Sequence, residues 1–135
     1  MKKTLFTAML IISALFVMQN SVSAQNLYFC EGVTESGQPI TQSTTFNIPS
    51  GGGYFYFLVK MPYAIGCTYV DYNIYTVDSR GNETYNTSIN QSDIGTDWTW
   101  FWKKVTFNYA GYYRVEVLDC SGYPLVSNYV TVNYK

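Results

Sequence analysis

Trp98, Trp100 and Trp102 occupy every second position of the run WTWFWKK. Alternate side chains of a strand share a face, so the three indoles lie together on one side of any strand that holds them. An exposed row of this kind stacks on sugar rings or buries against another protein; an enclosed row is core. Asp93 and Asp97, just upstream, are the residues nearest to an acid/base pair. Glycoside hydrolysis needs two carboxyls held at a fixed separation, and four residues of loop impose none. The chain contains no histidine, which removes the usual general base and the commonest metal ligand, and with them Ser-His-Asp and Cys-His catalysis within the subunit. The expectation is a non-enzymatic protein with no catalytic residue, no cofactor and no assigned metal set.

Calcium asks only for oxygen ligands, and the loops 93–97 and 78–83 contain them. The second fails the EF-hand pattern, because Arg80 stands where an oxygen ligand belongs and no glycine follows at the sixth position. Gly51-Gly52-Gly53 has no Gly-Lys-Ser/Thr after it and reads as a hairpin connection, not a phosphate cradle. After residue 24 six basic residues face nine acidic ones, a formal charge of −3 that gives no grip on nucleic acid.

The elements that must position the tryptophans follow a short leader. Lys2 and Lys3 precede an apolar run over 5–18, and Val22-Ser23-Ala24 supplies small-residue cleavage chemistry. These features predict a signal peptide over 1–24, cleavage near Ala24, and secretion to the periplasm, the cell surface or beyond. The apolar core is shorter than the ~20 residues of a spanning helix, and no later run is apolar enough to replace it, so no transmembrane segment is expected after cleavage. Asn82, Asn86 and Asn90 head N-glycosylation sequons that matter only on a eukaryotic route; the short Lys-Lys leader reads as bacterial.

Residues 25–135 suit one domain, near the size where a disulfide helps. Eight β-branched and aromatic runs predict strands over 26–33, 41–48, 54–61, 67–77, 83–89, 99–107, 112–119 and 125–134. Turn chemistry separates them at Glu35-Ser36-Gly37, 49–53, Ser79-Arg80-Gly81-Asn82, Ala110-Gly111 and Ser121-Gly122. The class is all-β, and the spacing is that of a sandwich.

One stretch narrows this. Val105-x-Phe107-x-x-Ala110-Gly111-x-Tyr113-x-Val115-x-Val117 resembles the corner between the fifth and sixth strands of immunoglobulin-like and fibronectin type III-like domains. The resemblance implies an antiparallel sandwich of seven or eight strands in which the Tyr113 hydroxyl bonds backbone a few residues upstream. Val115 stands where an antibody domain carries its second core cysteine, so that inter-sheet bridge is absent. Within the implied fold Cys67 opens the third main strand and Cys120 closes the sixth, which sets them side by side and predicts a Cys67–Cys120 disulfide. Cys30 is then left over, as a buried thiol, an intermolecular bridge or a lipid attachment point.

Two registers remain open for the tryptophans. Unbroken alternation puts Val105 and Phe107 in the core and turns Trp98, Trp100 and Trp102 outward, at the expense of sending Lys103 inward. A β-bulge at residues 102–104 sends the tryptophans inward and both lysines to water. The expectation is an exported domain that acts by binding or assembly at the cell surface or in the periplasm, as a structural or adhesive subunit would by capturing a partner through an edge strand; the alternative is a carbohydrate-binding module with outward Trp98, Trp100 and Trp102 as its aromatic platform. Fourteen tyrosines serve either, as strand formers or as contact residues.

Overall fold

Runs rich in valine, phenylalanine and tyrosine, closed by glycine and aspartate turns, form strands from one end of the domain to the other. The structure, a computed structural model, describes residues 25–135. The signal peptide expected over 1–24, with cleavage near Ala24, lies outside the described residues. Ten strands follow in order: β1 (Asn26–Cys30), β2 (Gly32–Val33), β3 (Pro39–Ile40), β4 (Thr45–Ile48), β5 (Gly53–Lys60), β6 (Val70–Val77), β7 (Glu83–Gln91), β8 (Trp100–Phe107), β9 (Gly111–Leu118) and β10 (Pro124–Tyr134). No described helix is long and apolar enough to cross a membrane.

The strands make a β-sandwich. One sheet has the order β1-β5-β8, the other β4-β10-β9-β6-β7, and β2 pairs with β3 in a small hairpin. The run expected over 26–33 is two strands, because the chain leaves the first sheet at Glu31, and the run expected over 41–48 is strand only from Thr45 onward. One pairing departs from the antiparallel expectation: β4 runs parallel to β10, with Thr45 opposite Thr131. The cause is the crossover. The chain pairs with β5 as β1, turns back through the β2–β3 hairpin, and joins the opposite sheet as β4.

Inward positions of both sheets fill one core. Leu27, Phe29, Phe55, Phe57, Val59, Phe101, Val105 and Phe107 meet Phe46, Ile48, Val70, Tyr72, Ile74, Tyr113, Val115, Val117, Val130 and Val132. Phe55 stacks between Phe46 and Phe107 at centroid distances of 4.2 and 4.8 Å, and such pairs each add about 0.5–1.5 kcal/mol beyond their burial. The Tyr113 hydroxyl donates to the Tyr109 carbonyl at 2.7 Å and closes the corner between β8 and β9. Cys67 and Cys120 are joined by a disulfide, with Cα atoms 5.8 Å apart.

Three hairpin turns share one chemistry. Asp78 and Asp119 accept from the amides two and four residues on, and Thr34 accepts from Gln38 through its hydroxyl. A glycine with φ of 82 to 84° sits fourth in each turn, a conformation that residues with a Cβ resist.

The β2–β3 hairpin folds over the outer face of the first sheet, reaching β1 and β5. Under it Cys30 and Leu58, both at outward register positions, are fully buried. Burial raises the Cys30 thiol pKa, against hydrogen bonds from the Gly32 and Ile40 backbone that act to lower it.

Candidate functional site

The register of β8 decides where the tryptophans point. β8 pairs with β5 without interruption from Gly53 opposite Phe107 to Lys60 opposite Trp100, so it contains no bulge. Phe101, Val105 and Phe107 are buried, and the even-numbered residues face out. Trp98, in the loop before β8, and Trp102 are 42% and 45% exposed. Trp100 is half-buried, because Gly37 of the hairpin turn presses on it: a Cβ at Gly37 would fall 2.6 Å from the indole ring. Trp98 lies on Gly95 in the same manner, where a Cβ would fall 2.5 Å from the indole Nε1. The three indoles are therefore not one continuous platform. Trp98 and Trp102 are open, and Trp100 between them is roofed.

The difficulty of an inward Lys103 is resolved by a groove. About 610 Å³ of open space runs along β8, lined by residues 98–104 together with Gln91, Asp93 and Asp97. Lys103 lines this space and stays half-exposed while Phe101 and Val105 on either side are buried, so its side chain is not enclosed in the core.

The groove wall is held by a buried relay. The Tyr72 hydroxyl donates to Gln91 Oε1 at 2.6 Å, and Gln91 Nε2 donates to the Trp102 carbonyl at 2.9 Å. Gln91 is the only buried polar side chain among the described residues. Burial, with a smaller contribution from the charge of Asp93, raises the pKa of Tyr72 far above the ordinary tyrosine range and keeps the relay's donor protonated. Because the Trp102 carbonyl points to Gln91, it points away from β5. The alternation of an antiparallel ladder then turns the main-chain groups of Trp100, Lys104 and Thr106 to the free edge as well.

Next to the groove, Trp102 meets Tyr56 edge to face at 5.4 Å, Tyr56 meets Tyr54 at 6.3 Å, and Lys104 Nζ lies 3.9 Å over the Tyr54 ring. Neither Asp93 nor Asp97 is in an ion pair with Lys103 or Lys104; the ion pairs among the described residues are those of Arg114 with Glu83 and Glu116. The carboxylate of Asp78 is taken up by its own turn, and no group of three or more acidic or cysteine side chains placed to hold a metal occurs among the described residues.

Sequence reasoning singled out the tryptophans and Asp93 and Asp97, which the structure brings to one groove. It missed Gln91, which lies in a run of asparagine, serine and glutamine with nothing to mark it. It also missed Gly37, whose role depends on a hairpin folding over a distant strand. Tyr54 and Tyr56 were visible as aromatic residues at alternate positions, but only the β5–β8 register puts them beside Trp102. No known protein family's model matches the chain, and no curated protein matches it either.

Proposed function

We propose that the chain is an exported, non-enzymatic, immunoglobulin-like domain that acts by binding at the cell surface or in the periplasm. The observation that carries the proposal is the uninterrupted β8 register, which turns Trp98 and Trp102 to solvent around a groove of about 610 Å³. Large exposed indoles beside a concave, partly polar surface are how a domain presents a binding site. Support for the immunoglobulin-like assignment comes from the order β1-β5-β8 against β4-β10-β9-β6-β7 and from the Tyr113 corner. Export rests on the leader over 1–24.

Binding in place of catalysis is favoured by the absence of histidine, the usual general base. The second reading, a carbohydrate-binding module, is favoured by the exposure of Trp98 and Trp102, with the half-buried Trp100 contributing little contact area. A survey of intrinsic fluorescence tests the function: purified chain is titrated with soluble polysaccharides and with extracellular protein fractions. A saturable shift that Trp102→Ala weakens is the expected result. Turnover of any added substrate that Asp97→Asn abolishes would overturn the non-enzymatic reading.

A further inference from the structure

We infer that the β8 groove takes a neutral glycan chain, and not an added peptide strand or a second copy of this protein; the inference rests on the binding reading above. Three features of the groove carry it.

The first is the composition of the wall. Trp98 and Trp102, both exposed, line it together with Asp93, Asp97, Lys103 and Lys104. The four charges sum to zero, and the two carboxylates make no ion pair with the two ammoniums. A polyanion would meet Asp93 and Asp97, and a polycation would meet the lysines. A chain of neutral hydroxyls suits both, since each hydroxyl donates to a carboxylate and accepts from an ammonium. The C–H faces of sugar rings suit the indoles, whose rings are electron-rich.

The second is the state of the strand edge. A peptide entering as a new strand would need the Trp102 carbonyl, which already accepts from Gln91. Displacing Gln91, 4% exposed, would strand a buried amide donor. Hydroxyls need no such displacement, because Trp100, Lys104 and Thr106 offer their own main-chain groups along the edge.

The third is Lys103. A charged residue at an inward position of an edge strand is a device that discourages strand-to-strand association. Antiparallel pairing of two β8 edges in a register centred on residues 103–104 would also bring the Lys103-Lys104 pairs of both copies together, and like charges across a ladder repel.

The test is a fluorescence titration of the full chain with neutral gluco-, xylo- and manno-configured hexasaccharides, with polygalacturonate as the anionic arm and an extended valine- and threonine-rich peptide as the strand arm. At least one neutral hexasaccharide is expected to give a saturable shift, with polygalacturonate and the peptide silent. Trp102→Ala should weaken that affinity about tenfold or more, the scale of an aromatic anchor, with Trp102→Phe intermediate. An unchanged far-UV spectrum and melting temperature would show that the variants fold. A response to the peptide or to polygalacturonate without one to any hexasaccharide would overturn the glycan assignment and leave the binding function standing. Silence in every arm, together with silence toward extracellular proteins, would overturn both.

Discussion

The two edges of the three-stranded sheet are built alike and finished differently. At the β1 edge the Leu27 carbonyl accepts from Asn128 Nδ2 at 2.9 Å and the Phe29 carbonyl from the Ser43 amide at 3.0 Å. Two contacts, one from the facing sheet and one from the crossover, thus cover two carbonyls of that edge. At the β8 edge a single side chain, Gln91, reaches across to a single carbonyl, and the groove begins beside it. A sandwich must tie down its strand edges. This one covers β1 and leaves β8 half-sealed, with Trp98 and Trp102 42% and 45% exposed beside the groove. The outer face of the five-stranded sheet makes the same point: Arg114 is held by Glu83 and lies 4.5 Å over Tyr75, and Tyr112 stacks on Tyr129 at 5.5 Å, so its groups are engaged with one another.

The comparison can be broken at several points. Loss of the Cys67–Cys120 crosslink, which belongs to neither edge, sets the scale: for a separation of 53 the chain-entropy model gives a cost of about 4 kcal/mol. Chemical denaturation of a Cys67→Ser/Cys120→Ser variant measures it, and ligand response below the lowered melting temperature should persist. Gln91→Leu strands both the Tyr72 hydroxyl and the Trp102 carbonyl, costs about 2–3 kcal/mol, and should change tryptophan emission because it frees the β8 edge. Asn128→Ala removes one bond from the closed edge and costs about 1–2 kcal/mol, with emission and ligand response unchanged.

A pH series separates the edges further. The pKa of Tyr72 is raised in the folded state, so its contribution is fully present below the unfolded value near 10 and is lost as pH rises above it, by about 1 kcal/mol per pH unit. Tyr113 is shifted in the same direction, by burial and then by Tyr134, and adds to the alkaline loss. Thermal melts from pH 9 to 11 should show the decline, and Tyr72→Phe should flatten it. Trp102→Ala has the smallest effect on stability, about 1 kcal/mol for its lost edge contact with Tyr56, while weakening the ligand response about tenfold or more.

Much of the scaffold was legible. The turns at Gly37, Gly81 and Gly122 each carry the side-chain acceptor and the glycine their geometry demands. The corner at Ala110-Gly111-Tyr113 was legible through its resemblance to immunoglobulin-like domains, and the Cys67–Cys120 bridge through the strand order that resemblance implies. The β2–β3 hairpin was hidden because two-residue strands leave no periodicity, and the parallel β4–β10 pair because only the crossover dictates it. The site was legible in its residues and not in its arrangement. Alternation alone leaves Trp98, Trp100 and Trp102 equivalent, and it takes the hairpin folding back from Gly37 to roof Trp100. Lys103 looked like an objection to the outward register, and the groove beside it leaves that residue half-exposed.

The central claim is that β8 is unbulged and turns Trp102 to solvent at an open edge. Acrylamide quenching of three variants, each keeping one tryptophan and carrying phenylalanine at the other two positions, tests it most directly. Trp98 and Trp102 should quench readily and Trp100 markedly more slowly. A Trp102 shielded as well as Trp100 would contradict the register and, with it, the site.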